Sequence, residues 1–227
     1  LVVVEANQDL DEILSVTEED VDREKFSHSR LRVGSQLSRA NMLHIALMSS
    51  ENRAASALGR HYPGGIQAFV NAMNAKAREL DMTSTRFSDS TGLSSSNVSS
   101  ARDLAKLVQA AHEYPQIRDF STRDAATVTV QGQELAYHNT NGLVRAGTWS
   151  IGLSKTGYTQ EAGRCLIMRV KAAGKNATMV LLNAGASSVR ILDALNIRRH
   201  VLGDDAPAAT SPVRTRVASH IRAAVGG

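Results

Sequence analysis

The chain has 227 residues, 42% of them hydrophobic, and a formal net charge of +4 at pH 7. This length is enough for a single domain with a substantial core, and no apolar stretch reaches the roughly 18 residues that a membrane-spanning helix needs. Aromatic residues are sparse and the basic residues are dispersed, which argues against a nucleic-acid-binding face. The mildly basic composition instead favours an anionic partner. The single cysteine, Cys165, excludes an intrachain disulfide and is expected to be a buried structural thiol.

Helical periodicity dominates the first half of the chain. Residues 1–6 are typical of the end of a helix, and the stretch 33–38 is predicted to be a connector that ends in a helix cap at Ser38. Ser100 and Asp103 have the spacing of a capping box. Helices are therefore predicted after Ser38, over 53–58, over 66–80 and after Ser100.

Strand periodicity replaces helical periodicity beyond Pro115. A hairpin is predicted from strands 127–130 and 135–138, followed by strands 150–158, 164–172 and 177–183, with a turn at 174–176. Ser188 is predicted to cap a last helix that runs to Val201. Helices first, a meandering antiparallel sheet next and a closing helix favour an α+β fold.

The composition changes after residue 203. Residues 204–227 are rich in Ala, Pro, Ser and Thr, so we predict a flexible basic tail behind a single domain spanning 1–203. Within the tail, four apolar residues recur every four positions between arginines, which leaves weak contact with a membrane surface open. These residues are Val213, Val217, Ile221 and Val225.

Two short motifs predict chemistry. Lys155-Thr156-Gly157 ends an apolar run, and a strand that ends in lysine projects a cation into a cleft, where a glycine lets a substrate backbone approach. Ser50-Glu51-Asn52 lies in a short break between two apolar helices, which would hold a hydroxyl and an amide over a cleft. The similar Ser95-Ser96-Asn97 lies in a long serine-rich loop and is disfavoured. Penicillin-binding proteins and class A β-lactamases combine these two motifs with a third, Ser-x-x-Lys.

The resemblance extends beyond the motifs. Residues 48–58, 91–105 and 138–158 are similar to low-molecular-mass penicillin-binding proteins, and 161–166 also fits their D-alanyl-D-alanine endopeptidase branch. The resemblance covers residues 1 to about 203. It implies a β-lactamase/DD-peptidase-like fold, in which an antiparallel sheet is flanked by helices and accompanied by an all-helical lobe.

The third motif is absent, because no serine of the sequence is followed by lysine three positions later. In the resembled family this motif opens the helix whose end residues 1–6 resemble. The missing serine and lysine are therefore expected roughly eight and five residues upstream of Leu1, in an N-terminal piece that this sequence lacks.

The resemblance implies a role for each remaining residue. The absent serine would attack a D-alanyl peptide bond of a peptidoglycan stem peptide, with Ser50 relaying the proton, Asn52 orienting the substrate and Lys155 supplying positive potential. Thr156 would bind a substrate carboxylate or amide beside Gly157, and the Tyr158 backbone N–H would be an oxyanion donor. β-Lactams would be inhibitors, no cofactor or metal would be needed, and the location would be periplasmic.

Alternatives remain open at this point. A pseudoenzyme that binds peptidoglycan or β-lactams without catalysis would also lack the nucleophile. A β-lactamase would need a deacylating carboxylate, for which Glu134 in the predicted hairpin is a poor candidate. His44 and His138 are expected to be structural, Asn139 and Asn141 to shape the loop before the Lys155 strand, and Arg164 to reach the cleft.

Overall fold

The computed structural model describes residues 1–203 as eight α-helices and seven strands, with a 3-10 turn at Glu18–Asp20. The helices are α1 (Val2–Glu5), α2 (Arg39–Ser49), α3 (Asn52–Arg60), α4 (Gly65–Glu79), α5 (Ala101–His112), α6 (Pro115–Thr122), α7 (Gly142–Ala146) and α8 (Ser187–Leu202). The strands are β1 (Ile13–Ser15), β2 (Gln36–Ser38), β3 (Ala125–Val130), β4 (Gln133–His138), β5 (Ser150–Thr159), β6 (Gly163–Ala172) and β7 (Lys175–Ala184).

The predicted antiparallel sheet is formed by β5, β6 and β7 in that order, with helices on both faces. Because side chains alternate along a strand, Leu166 and Met168 face one way and pack with Ala194 of α8. Ile167 faces the other way and packs with Val108 of α5. The α+β architecture predicted from the sequence is confirmed.

Beside the three-stranded sheet lies a mostly helical lobe, which is built around α2. Ser38 caps this helix by accepting a hydrogen bond from the Asn41 N–H at 3.3 Å, as predicted. Met42, Ile45 and Met48 of α2 are completely buried. Two antiparallel pairs, β1 with β2 and β3 with β4, complete this helical lobe.

Several local predictions need correction. The 33–38 stretch is not only a connector, because its end forms β2 against β1. The last hairpin turns at Ala173 and Gly174, both with positive φ, so Lys175 and Asn176 belong to β7 rather than to the turn. The N-cap of α8 is Ala186 and not Ser188.

Two helices were not predicted at all, α6 and α7. Proline at the first position of α6 supplies the φ angle that a helix start needs, and Asn141 caps α7 by accepting the Leu143 N–H.

Other expectations concern exposure and the tail. The Cys165 thiol is half-buried rather than buried. The predicted tail 204–227, with its four periodic apolar residues, lies outside the described residues. Within residues 1–203, no helix combines the length and apolar character that crossing a bilayer would require.

Candidate active site

Ser50 lies at the junction of two helices in a strained backbone conformation. It is the C-cap of α2 and adopts left-handed angles, φ 55° and ψ 42°, which cost free energy for any residue with a side chain. The next residue, Glu51, is buried and caps α3 by accepting the Arg53 N–H at 3.2 Å, and it also accepts the Ser29 hydroxyl at 2.6 Å. The junction is therefore held from both sides, and Ser50 cannot relax without disturbing two helices.

Lys155 reaches this junction from the middle of β5. Its Nζ donates hydrogen bonds to Ser50 Oγ and to the carbonyl oxygen of Thr156, the latter at 2.6 Å. No carboxylate among residues 1–203 lies within ion-pair distance of the Lys155 ammonium. Burial lowers the pKa of Lys155 to about 8. The side chain is thus a cation poised to exchange a proton near neutral pH.

Asn52 opens α3 on the same side of the junction. Its side-chain amide donates to Ser27 Oγ at 3.0 Å. Ser27 belongs to a loop held by Asp22, whose carboxylate accepts backbone N–H bonds from Lys25 and Ser27. Burial alone would raise the pKa of Asp22, but these hydrogen bonds lower it to about 2. The amide of Asn52 is therefore oriented by a fixed loop.

That loop also touches the sheet. Lys25 forms an ion pair with Glu161, which lies in the turn between β5 and β6. The loop thus contacts the helical lobe through Ser27 and the sheet through Lys25.

Thr156, Gly157 and Tyr158 follow Lys155 along β5. The Thr156 hydroxyl donates to Thr140 Oγ1 at 2.6 Å. A methyl group added at Gly157 would make only an ordinary 3.8 Å contact with Cys165, so the fold itself does not require glycine there. Glycine keeps this edge open on the outside, as an approaching peptide backbone would need. The Tyr158 side chain is exposed.

These groups surround a cleft of about 520 Å³. Among the described residues that line it, the charged ones are Lys155, Arg164 and Arg190, which make the cleft positive. The other lining residues are Ser50, Asn52, Thr91, Gly92, Leu93, Thr140, Thr156, Gly157, Tyr158, Thr159 and Ser187.

Arg190, in the first turn of α8, was not found from the sequence. Its Nη1 donates to the Cys165 carbonyl oxygen at 3.0 Å, while its buried Nε has no hydrogen-bond partner among the described residues. Burial, and then the positive charge of Arg164, lower the pKa of Arg190. Nothing in the local pattern sets this arginine apart from the other arginines of the chain; only the packing of α8 against β6 places it in the cleft.

Arg164 does reach the cleft, as predicted. It stands at the start of β6, directly across from Tyr158, and its guanidinium lies 4.5 Å from the centre of the Tyr158 ring. Thr140, also absent from the predictions, is positioned by its backbone N–H, which donates to the Met48 carbonyl at 3.1 Å.

Asn139 and Asn141 shape the approach to β5, as predicted. The Asn139 amide donates to the carbonyl oxygens of Ser121 and Arg123 at 3.0 and 2.8 Å. The Asn141 amide donates to Ser154 Oγ at 2.9 Å. Because Ser154 immediately precedes Lys155, this buried network fixes the register in which the lysine enters the cleft.

The disfavoured candidates lie elsewhere. Asn97 is engaged by Asp89 within its own loop, His44 stacks on Phe120 with ring centres 4.8 Å apart, and Glu134 is paired with Thr129 in the β3–β4 hairpin. Within residues 1–203, no group of three or more His, Cys, Asp or Glu side chains could hold a metal ion.

A smaller cavity of about 210 Å³ adjoins the site. Ser50 and Lys155 line it on one side and Val3 of α1 lines it on another.

Comparison with known proteins agrees with this geometry. Residues 1–186 match the family model described as D-alanyl-D-alanine carboxypeptidase. The chain belongs to the D-alanyl-D-alanine carboxypeptidase family.

Individual proteins similar to the chain include D-alanyl-D-alanine endopeptidases. The chain is 45% identical over 201 residues to the D-alanyl-D-alanine endopeptidase of Pseudomonas aeruginosa and 46% identical over 200 residues to that of Escherichia coli. The alignments cover 88% and 87% of this chain but 65% and 64% of those proteins, so the chain spans less than two thirds of their length.

A solved structure shares the fold. The Streptomyces DD-transpeptidase superimposes with a TM-score of 0.81 at 26% identity, over 89% of this chain and 84% of that one. The resemblance read from the motifs is therefore confirmed at the level of family and fold.

Proposed function

We propose that this chain provides the substrate-binding and proton-relay residues of a serine-type D-alanyl-D-alanine peptidase that acts on peptidoglycan stem peptides through an acyl-enzyme. The observation that carries the proposal is the hydrogen bond from Lys155 Nζ to Ser50 Oγ. It joins the two motifs predicted from the sequence inside one positive cleft, beside an open strand edge. Such an arrangement suits a peptide substrate with a carboxylate end.

The relay follows from the contacts. Lys155 holds the Ser50 hydroxyl, so that this hydroxyl can pass a proton to the amine that leaves when the peptide bond breaks. A lysine pKa of about 8 keeps both protonation states accessible during this transfer. The Asn52 amide, fixed by Ser27, orients the substrate in the same cleft.

Binding of the substrate uses the strand edge. Arg190 binds the carboxylate of the substrate together with the Thr156 hydroxyl, which turns its proton from Thr140 to the carboxylate. The Tyr158 N–H stabilises the negative oxygen of the tetrahedral intermediate. Water then hydrolyses the acyl-enzyme, a step that needs no metal.

The attacking serine and its lysine base are not among the 227 residues. The proposed reaction therefore needs an attacking serine and a lysine base that the 227 residues do not supply.

Among peptidase activities, we favour the endopeptidase that cuts cross-links between stem peptides, because the two relatives above are named D-alanyl-D-alanine endopeptidases. A periplasmic location and inhibition by β-lactams belong to the same proposal. The non-catalytic alternative would need the Ser-x-x-Lys motif to be missing from the gene itself, and the names of the two relatives do not favour it.

Labelling with fluorescent penicillin tests the proposal. The 227-residue chain is expected to give no covalent band, since loss of a serine nucleophile costs roughly six orders of magnitude in turnover. A gene product extended upstream to include a Ser-x-x-Lys motif is expected to be labelled and to cut cross-linked muropeptides. A labelled band from the 227-residue chain would contradict the missing nucleophile, whereas an upstream sequence without the motif would establish the non-catalytic alternative.

A second arm tests the relay. In the extended protein, Ser50→Ala should reduce cleavage of the peptide far more than the equivalent change at Ser95, the serine of the disfavoured motif. Equal effects of the two changes would refute the assignment of Ser50.

A further inference from the structure

Two guanidinium groups lie at one end of the cleft without a counter-charge. Arg190 reaches it from α8 and Arg164 from the start of β6. Neither forms an ion pair with any carboxylate of residues 1–203. One carboxylate of a substrate is enough to neutralise one arginine. A substrate with a single carboxylate would therefore leave the second arginine without a counter-charge.

Neighbouring residues orient the Arg164 guanidinium but leave its hydrogen-bond donors available. The Tyr158 ring covers one face of its guanidinium at 4.5 Å, and the N–H groups in the plane of the guanidinium make no hydrogen bond to a described residue. Stacking of this kind fixes the plane of an arginine while its edge stays available for a bidentate contact with a carboxylate. Arg164 is therefore preorganised for an anion.

The positive charges of the two arginines also interact with each other. The pKa of Arg190 is lowered first by its burial and then by the positive charge of Arg164, which shows that the two cations are close enough to repel. The buried Nε of Arg190 still lacks a partner among the described residues. Two anionic groups that bind together would relieve this repulsion between the two guanidinium groups.

We propose that Arg164 and Arg190 form a pair of carboxylate subsites, so that the preferred substrate has a leaving group with two carboxylates. A peptide strand released from a cross-link can carry a second carboxylate, whereas a single released D-alanine carries only one. Arg190 takes the carboxylate next to the scissile bond and Arg164 takes the more distant one. This inference rests on the proposed function and specifies which of its substrates the cleft selects.

Binding to the 227-residue protein tests the pair, because without the nucleophile the peptides are not turned over. Two peptides with the same acyl part and D-alanyl residue are compared by calorimetry, one ending in D-alanine and the other in D-2-aminopimelate. A third peptide has the distal carboxylate of the aminopimelate amidated. The two-carboxylate peptide is expected to bind about tenfold tighter than either of the others, as for one added charge-assisted hydrogen bond.

Variants assign the gain to one residue. Arg164→Gln should remove the tenfold advantage and leave the Kd of the D-alanine peptide within about twofold, while Arg164→Lys should keep part of it. Arg102→Gln is the matched control, since Arg102 is exposed on α5 and does not line the cleft. Arg190→Gln should weaken all three peptides.

The outcomes separate the two proposals. Equal Kd values for the one- and two-carboxylate peptides, or an advantage that survives Arg164→Gln, would overturn the carboxylate pair and leave the proposed function standing. Failure of all three peptides to bind would contradict the proposed substrate and the pair with it.

Discussion

Lys155→Met is expected to stabilise the protein while abolishing the proposed proton relay through Ser50. Burial lowers the pKa of Lys155 from its ordinary 10.5 to about 8, which is equivalent to roughly 3 kcal/mol against the charged form at neutral pH. The side chain keeps some contact with solvent, which reduces this figure, and its hydrogen bonds to Ser50 and Thr156 offset about 1 kcal/mol more. The net expectation is a free energy of unfolding higher by about 1–2 kcal/mol at pH 7.

The stability difference between the Lys155→Met variant and the parent depends on pH. Below pH 8 the lysine is charged in both folded and unfolded chains, so the penalty is fully present. Between about pH 8 and 10.5 the folded protein releases the proton that the unfolded chain still holds, and the penalty fades. The advantage of Lys155→Met should therefore shrink across that window.

Urea unfolding at pH 7 and at pH 10 measures the effect. Lys171→Met is the matched control, because Lys171 is exposed on β6, and it should change stability by less than about 0.5 kcal/mol. A Lys155→Met variant that is less stable than the parent at pH 7 would refute the reasoning. So would an advantage that is constant between the two pH values.

Three further predictions concern neighbouring groups. Asn141→Ala should lower the free energy of unfolding by about 2–4 kcal/mol in urea titrations, because it removes the buried contacts to Ser154 and to the Leu143 N–H; an exposed control, Asn196→Ala, should be near neutral. Ser50→Gly should be more stable than Ser50→Ala by about 1 kcal/mol in thermal unfolding, since only glycine relieves the left-handed backbone, and equal Tm values would contradict the strain. Binding of a carboxylate peptide to the parent protein should weaken as pH rises through about 8, where Lys155 loses its charge, and a flat calorimetric profile from pH 7 to 9 would exclude Lys155 from binding.

Helices and strands could be predicted where the periodicity of apolar side chains along the sequence defines them. Helices α2 to α5 and strands β3 to β7 have side chains that repeat with the period of their element, and the Ser50 motif lies at the end of α2 while the Lys155 motif lies within β5. A lysine after an apolar run and a serine between two helices could therefore be assigned to one cleft without knowing the contacts between them, although the strand continues past the lysine to Thr159.

What was not predicted depends on contacts between distant segments. Arg190 becomes a cleft residue only because α8 packs on β6, and Thr140 only because its backbone is held by Met48. Strand β2 is too short to show a period and exists through its pairing with β1. These residues have ordinary neighbours in sequence, and their roles arise from tertiary packing.

The hydrogen bond between Lys155 and Ser50 joins groups 105 positions apart in the chain. The cleft therefore exists only when the sheet and the helical lobe are folded and docked, and local unfolding of either one abolishes it. A ligand that occupies the cleft consequently stabilises the whole molecule, by about 2.7 kcal/mol at one hundred times its Kd. Thermal shift in the presence of candidate peptides thus reports occupancy of the cleft even where no reaction follows.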